Sequence, residues 1–216
     1  MSLFRLDASI RVEGSSSRAI ADIVEGEWRA AHPQAEVVRR HLGTDPIPAT
    51  AWADATNAAY SPQAQHTPEQ RAAVALAAKA VDQLVEADAL LFAVPLYNYG
   101  VSQHFKAWAD LVISDPRMAA GAEPATKGTP AVLVVVRGGS YAAGTPRAGW
   151  DHATGWMQRI LADVWQLDLT VVERELTLVG VNPALDQFTD VARELQAKAE
   201  REAAEHGRSF AGLVTV

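Results

Sequence analysis

The chain of 216 residues contains no cysteine. That excludes disulfides, thiolate nucleophiles and Cys-based zinc sites, and it suits a reducing compartment. No apolar run approaches the roughly 18 residues expected of a membrane-crossing helix. The N-terminal stretch "MSLFRLDASI" has no basic segment followed by an apolar one, so no signal peptide is expected. Positive charge is also scarce: Lys and Arg total 19 against 26 Asp and Glu, for a net charge of -7. A chain this acidic lacks the basic footprint of a nucleic-acid binder, although backbone N–H groups can still hold a local anion. The expectation is a soluble cytoplasmic protein that binds neither nucleic acid nor membrane.

Several catalytic signatures are missing as well. His32, His41, His66, His104, His152 and His206 show no HExxH or paired-ligand spacing, so no metal site is expected. Only His104, beside "YNYG", is placed to neighbour a site. There is no Walker loop and no G-x-G-x-x-G fingerprint. A hydrolase with Ser9 or a nearby serine as nucleophile would need partners, yet G-x-S-x-G is absent and no Ser-His-acid set is visible from spacing.

What the chain does have is apolar material. Hydrophobic residues make up 49% and charged residues 21%, enough to bury one sizeable core in a single domain spanning 1–216. Apolar runs alternate with helical patterns. "LFRLDAS" (3–9) reads as a first strand, shortened or edge-like because Arg5 and Asp7 interrupt it. Ile20, Ile23, Val24, Trp28 and Ala31 have helical spacing within 18–31. "AEVVRRHL" (35–42) is a second strand, and "GTDPIPATAW" (43–52) reads as a loop. Thr67, Pro68 and Gln70 form a helix start with a capping box, for a helix reaching about Glu86.

"ALLFAVP" (89–95) and "PAVLVVVRGG" (130–139) are continuous apolar strands, separated by a short helix at 102–113. From Trp150 the apolar positions keep helical spacing to Trp165, where dimer contacts and ordinary core packing are equally open for Trp150, Met157 and Trp165. "DLTVVERELTLVG" (168–180) is a last strand region, and a charged helix opens at "NP" (182–183) and reaches about Glu205. Strands without polar alternation belong in parallel sheets covered on both faces. The order predicts a doubly wound parallel sheet of about five strands with helices on both faces. Such sheets bind ligands at the carboxyl ends of their strands, where strand order reverses.

Three loops leave those ends with unusual chemistry. "SIRVEGSSSR" offers Ser9, Ser15, Ser16 and Ser17 just before a helix, which suits a phosphate; equally, one serine caps the helix and the rest are solvated. "PLYNYG" offers Pro95, Leu96, Tyr97, Asn98 and Tyr99, read either as an aromatic and amide platform or as a turn bent at Asn98 and Gly100. "VRGGSY" offers Val136, Arg137, Gly138 and Gly139, either a close-approach glycine wall with an anchoring arginine or an ordinary turn. A flat ring system with a phosphate tail, such as flavin mononucleotide, fits all three.

These same stretches resemble the FMN-dependent NADH-azoreductase family, through most of the chain. "DASIRVEGSSSRA" is similar to the family's serine-bearing first loop, "PLYNYGVSQHFKAWADLV" to its P-[ML]-Y-N-F…K…D segment, and "RGGSYAAGTP" to its R-G-G segment. "DPIP" at 45–48 is a further likeness, and the Y-N-[FY] segment is the most specific.

The resemblance implies a flavodoxin-like fold, a homodimer, FMN as cofactor, and NADH or NADPH as hydride donor. It implies that Ser9 and Ser15 to Ser17 hold the FMN phosphate and that Leu96 to Tyr99, with Pro95, line the ring and ribityl. Val136, Arg137, Gly138 and Gly139 would contact the ring's polar edge, with Arg137 stabilising charge, and Tyr97, Tyr99 and Tyr141 would stack on substrate. The implied reaction is ping-pong: the nicotinamide reduces the flavin, then a quinone, azo or nitro aromatic takes two electrons.

Two features depart from the pattern. Val136 stands where a small polar residue is usual, and "SDPRMAAGAEPATKGTP" replaces a longer segment whose aromatics help cover the substrate side of the flavin. A flavodoxin-like electron carrier or partner-binding module without NAD(P)H activity is the alternative from a different class.

Overall fold

The computed structural model describes residues 1–213, so the last three residues of the expected 1–216 domain lie outside the described residues. Five strands run parallel: β1 (Ser2–Asp7), β2 (Glu36–His41), β3 (Ala89–Tyr97), β5 (Pro130–Val136) and β6 (Asp168–Arg174), in the order β2-β1-β3-β5-β6. A short β4 (Gly100–Val101) folds back antiparallel on β3, with Leu96 opposite Val101 and Tyr97 opposite Gly100. Strand order reverses between β1 and β3, where a crevice opens at the carboxyl edge.

The expected edge character of β1 is not found. β1 is interior, flanked by β2 and β3. Its period of two explains how it tolerates charge. Phe4 and Leu6 point to one face and join the larger core with Phe92, Phe105 and Trp108. Leu3, Arg5 and Asp7 share the opposite face, over which helix α1 (Ser16–Ala31) lies. α1 supplies acceptors for Arg5, whose Nη1 donates to Asp22 at 2.6 Å and to Glu25 at 2.9 Å; Arg5 Nε donates to Asp7 at 3.2 Å, and Arg18 of α1 lies 3.8 Å from the same carboxylate. Buried charge is stable only when paired in this way.

Ile20, Val24 and Trp28 recur every fourth residue on α1 and bury one stripe against Leu91, Val132, Val134 and the C-terminal helix α6 (Thr189–Leu213). α1 and α6 cross closely at Gly207, where a Cβ would lie 2.9 Å from Glu27 Cβ. The other face carries α2 (Ala51–Ala58), α3 (Pro68–Val85), α4 (Gln103–Ile113) and α5 (Thr154–Gln158). α3 begins with the expected capping box: Gln70 N–H donates to Thr67 Oγ1 at 3.2 Å, and Thr67 N–H to Gln70 Oε1 at 2.9 Å.

Other boundaries moved. The loop expected over 43–52 ends at Thr50, and α2 starts inside that stretch at Ala51, with Ala51, Ala55 and Ala58 forming a buried stripe. The helix expected from Trp150 starts at Thr154 and widens into a π-helical turn at Arg159–Val164. Met157 and Trp165 are core, whereas Trp150 is exposed. β6 ends at Arg174, so 175–180 is a loop rather than strand. A 3-10 turn (Pro183–Phe188), capped by Asn182, opens at the proline of "NP", and α6 starts only at Thr189 and continues beyond Glu205. No helix among the described residues is long and apolar enough to cross a membrane.

Candidate functional site

A cavity of about 200 Å³ opens at the carboxyl edge, beside the point where strand order reverses. It is lined by residues of all three sequence-identified loops: Ser9, Ser15, Ser16 and Ser17; Pro95, Leu96 and Tyr97; Val136 and Gly138. Arg11, Thr177 and Leu178 complete it.

The first loop ends in the N-terminus of α1. Ser15 is the cap, its Oγ accepting from Arg18 N–H at 3.4 Å and lying 3.2 Å from Ser17 Oγ. The plain reading of one capping serine is therefore right for Ser15, and the same serine also faces the cavity. Helix geometry leaves the first N–H groups of α1 without intrahelical partners. The first turn holds no acidic residue that would neutralise them. Serine hydroxyls, free helix N–H groups and the cationic Arg11, with no carboxylate in the lining, make an anion-accepting donor set.

Tyr97 links this loop to β3. Its phenol oxygen lies 3.2 Å from Ser9 Oγ and accepts from Ile10 N–H at 3.1 Å. Ser9 Oγ in turn accepts from Arg11 N–H at 3.1 Å. Ser102 Oγ, at the start of α4, donates to the Ala8 carbonyl at 3.1 Å and ties β4 to the same loop.

Beyond Tyr97 the chain reverses through Asn98 and Tyr99, both with positive φ (49° and 67°), a two-residue hairpin of the I′ kind that matches strand twist. Asn98 suits that conformation and Tyr99 does not, so Tyr99 carries backbone strain. Neither side chain lines the cavity. Tyr99 instead faces outward in an aromatic group, 5.5 Å from Trp150 and 6.4 Å from Tyr141 between ring centroids. Partial burial pushes the Tyr141 phenol up from its ordinary value.

The third loop is zipped to the segment after β6. Thr177 N–H donates to the Arg137 carbonyl, Leu178 N–H to that of Gly138, both at 3.1 Å, and Leu176 N–H to that of Gly139 at 3.2 Å. A Cβ on Gly138 would lie 2.6 Å from Leu178 Cδ1, so glycine is needed for this closeness. The zipper brings Thr177 and Leu178 to the cavity. Sequence reasoning missed both because "TLV" carries no polar signature, though the carboxyl end of the fifth parallel strand had to reach this edge.

Arg137 does not line the cavity. Its guanidinium is buried and donates to Asp151 at 2.7 Å, Glu173 at 2.8 Å, Glu175 at 3.3 Å and Thr154 at 2.8 Å. Burial works against its charge, but Glu173, Asp151 and Glu175 prevail and hold its pKa above the ordinary value. With four acceptors it clamps β5 to β6 and α5. Gly139 and His104 also do not line the cavity.

The 114–128 connection lies at the opposite edge of the sheet. Arg117 Nη1 donates to Asp82 near the end of α3, Thr126 Oγ1 to the Trp165 carbonyl at 3.0 Å, and Gly128 N–H to the Gln166 carbonyl at 2.8 Å. All of these are at the amino ends of β3, β5 and β6. Its shortness therefore does not uncover the cavity of its own chain.

Comparison with known proteins agrees with this architecture. Residues 1–204 match the family described as flavodoxin-like fold. A protein of Frankia alni named FMN-dependent NADH:quinone oxidoreductase is 42% identical over 200 residues, which cover 92% of this chain and 94% of that protein. A Streptomyces avermitilis protein of the same name is 37% identical over 210 residues, covering 97% and 96%. Among solved structures, the azoreductase from Bacillus anthracis str. Sterne superposes with a TM-score of 0.78 at 23% identity, covering 97% of this chain and 100% of that one; this likeness concerns the fold.

Proposed function

The chain belongs to the flavodoxin-like family together with relatives named FMN-dependent NADH:quinone oxidoreductase, and from that membership we propose that it is itself an FMN-dependent oxidoreductase that transfers electrons from NADH, or NADPH, to quinones or related azo and nitro aromatics. The observation that carries the proposal is the cavity, where an anion-accepting helix terminus and a segment of aromatic and apolar residues meet at one crevice. That donor set fits a flavin bearing a phosphate. When bound, FMN supplies the chemistry, taking a hydride from the nicotinamide and passing two electrons to the acceptor.

The chain's own residues have positioning tasks. Ser15, Ser16 and Ser17 with the α1 N–H groups hold the phosphate. Pro95, Leu96, Tyr97, Val136 and Gly138 wall the ring and ribityl, and the backbone at 138–139 is the candidate for donors to the ring's polar edge. Tyr97 keeps the first loop closed through Ser9 and Ile10. Arg137 acts by fixing the 137–139 backbone, not by touching the ring. Asn98 and Tyr99 border the opening, and Tyr99 and Tyr141 offer an aromatic surface to the acceptor.

A homodimer belongs to the same reading, and the exposed Trp52 and Tyr60 are apolar surface available for it. A cytoplasmic location follows from dependence on reduced nicotinamide. The test is the visible spectrum of protein mixed with FMN, desalted, then treated anaerobically with NADH. Retained flavin that bleaches is the expected result. Retained flavin that NADH leaves oxidised would turn the reading to an electron carrier, and loss of flavin on desalting would remove it.

A further inference from the structure

Against Gly139, the residue after the cavity-lining Gly138, lies a cation that forms no ion pair among the described residues. The Arg147 guanidinium lies 5.9 Å from the centroid of the Tyr99 ring. A Cβ on Gly139 would fall 2.8 Å from Arg147 Nη1, so the guanidinium also rests against the glycine wall. The Tyr99 ring meets Trp150 and Tyr141 nearly edge-on, at interplanar angles of 77° and 66°. Tyr99 is 40% exposed and Trp150 49%. The result is an open aromatic surface with one cation at its edge.

The nearby carboxylates are occupied elsewhere. Glu175 accepts from the Ser140 hydroxyl at 2.7 Å and from Tyr141 N–H at 3.0 Å. Asp151 accepts from Arg137 at 2.7 Å, from Thr154 Oγ1 at 2.7 Å and from two backbone N–H groups. Glu173 binds Arg137 at 2.8 Å. Among the described residues, none of the three forms an ion pair with Arg147. In a chain of net charge -7, this positive group is held by an aromatic face and not by an anion of its own.

We propose that Arg147 is a specificity-determining residue that selects aromatic acceptors carrying an anionic substituent, a sulfonate or carboxylate. The guanidinium fork matches two oxygens of such a group, while Tyr99 and Trp150 take the ring. A neutral ring gains only the aromatic contact. The word "acceptor" rests on the reductase reading above; the anion-and-ring contact itself does not.

Two measurements test it on the full-length FMN-loaded protein. The first titrates naphthalene-2-sulfonate and 2-naphthylmethanol and follows tryptophan emission, with Trp150→Phe identifying the signal. The sulfonate binds about fivefold more tightly than the alcohol, the effect of one exposed charge contact, and Arg147→Ala abolishes that preference while Arg147→Lys keeps part of it. The second compares a naphthoquinone with its sulfonated form in NADH-driven turnover. Arg147→Ala raises the KM ratio of sulfonated to neutral quinone about fivefold.

Equal binding of sulfonate and alcohol, a preference that survives Arg147→Ala, or a change in the KM for NADH instead of the quinone ratio would overturn the proposal. A protein that prefers the sulfonate through Arg147 but is not bleached by NADH supports the anion site and refutes the reductase reading, so the two failures are separable.

Discussion

The Tyr97 phenol oxygen lies 3.2 Å from Ser9 Oγ and also accepts from Ile10 N–H, joining the carboxyl ends of β1 and β3 across the point where strand order reverses. Tyr97→Phe keeps the ring and deletes both contacts. A hydrogen bond contributes about 1 kcal/mol net, so the variant loses roughly 1–2 kcal/mol of stability, and with the first loop loosened FMN affinity falls roughly fivefold to tenfold. Quenching of flavin fluorescence on titration measures it. Unchanged affinity would mean that the first loop holds its shape without Tyr97.

Ser16→Asp separates the needs of the helix from those of the ligand. A carboxylate in the first turn of α1 favours the helix dipole by about 0.3–1 kcal/mol, so the melting temperature rises slightly. The same charge faces the place assigned to the phosphate, and FMN binding weakens by at least about tenfold through like-charge repulsion. A variant that gains stability and still retains FMN would put the phosphate somewhere else.

Gly138→Ala places a methyl 2.6 Å from Leu178 Cδ1. Overpacking of this kind costs about 1–3 kcal/mol, and denaturant unfolding should show it. Adding Leu178→Ala makes room and recovers part of the loss. If the two substitutions were additive, the glycine would not be required by Leu178.

Acid sensitivity should trace in part to Glu25. Burial opposes its charge, but Arg39, Arg29 and Arg5 hold its carboxyl below the ordinary 4.5. A group whose pKa is lower folded than unfolded contributes stability above its unfolded value and loses it as pH falls through the folded one. Glu25→Gln therefore destabilises at pH 7, by at most about 3–5 kcal/mol, the cost of breaking a buried pair, and the gap to wild type narrows below about pH 4.5. Urea melts across that range decide it; a constant gap would show that Glu25 has no part in the acid transition.

The alternation of elements was legible because β3 and β5 are apolar on both faces, as only covered parallel strands can be. The place of β1 was not. Arg5 and Asp7 look like edge residues until one sees that Asp22 and Glu25 of α1 meet Arg5, and that Arg5 and Arg18 meet Asp7. Three of the cavity's segments were visible through serine, aromatic and glycine clusters. Arg137 was visible as a residue but not in its direction, because its carboxylate partners are 14 to 38 positions away and no local pattern links them. Thr177 and Leu178 carry no signature at all; they arrive through backbone hydrogen bonds, which any side chain permits.

The connection 114–128 is anchored by Asp115, Met118 and Thr126, which are buried, while its tip at 120–123 is exposed. Because it hangs from the edge opposite the cavity, its length is decoupled from what the same molecule holds. It is the natural place to splice in an epitope, a fluorophore or a tether to a surface, leaving the cavity at the far edge of the sheet untouched.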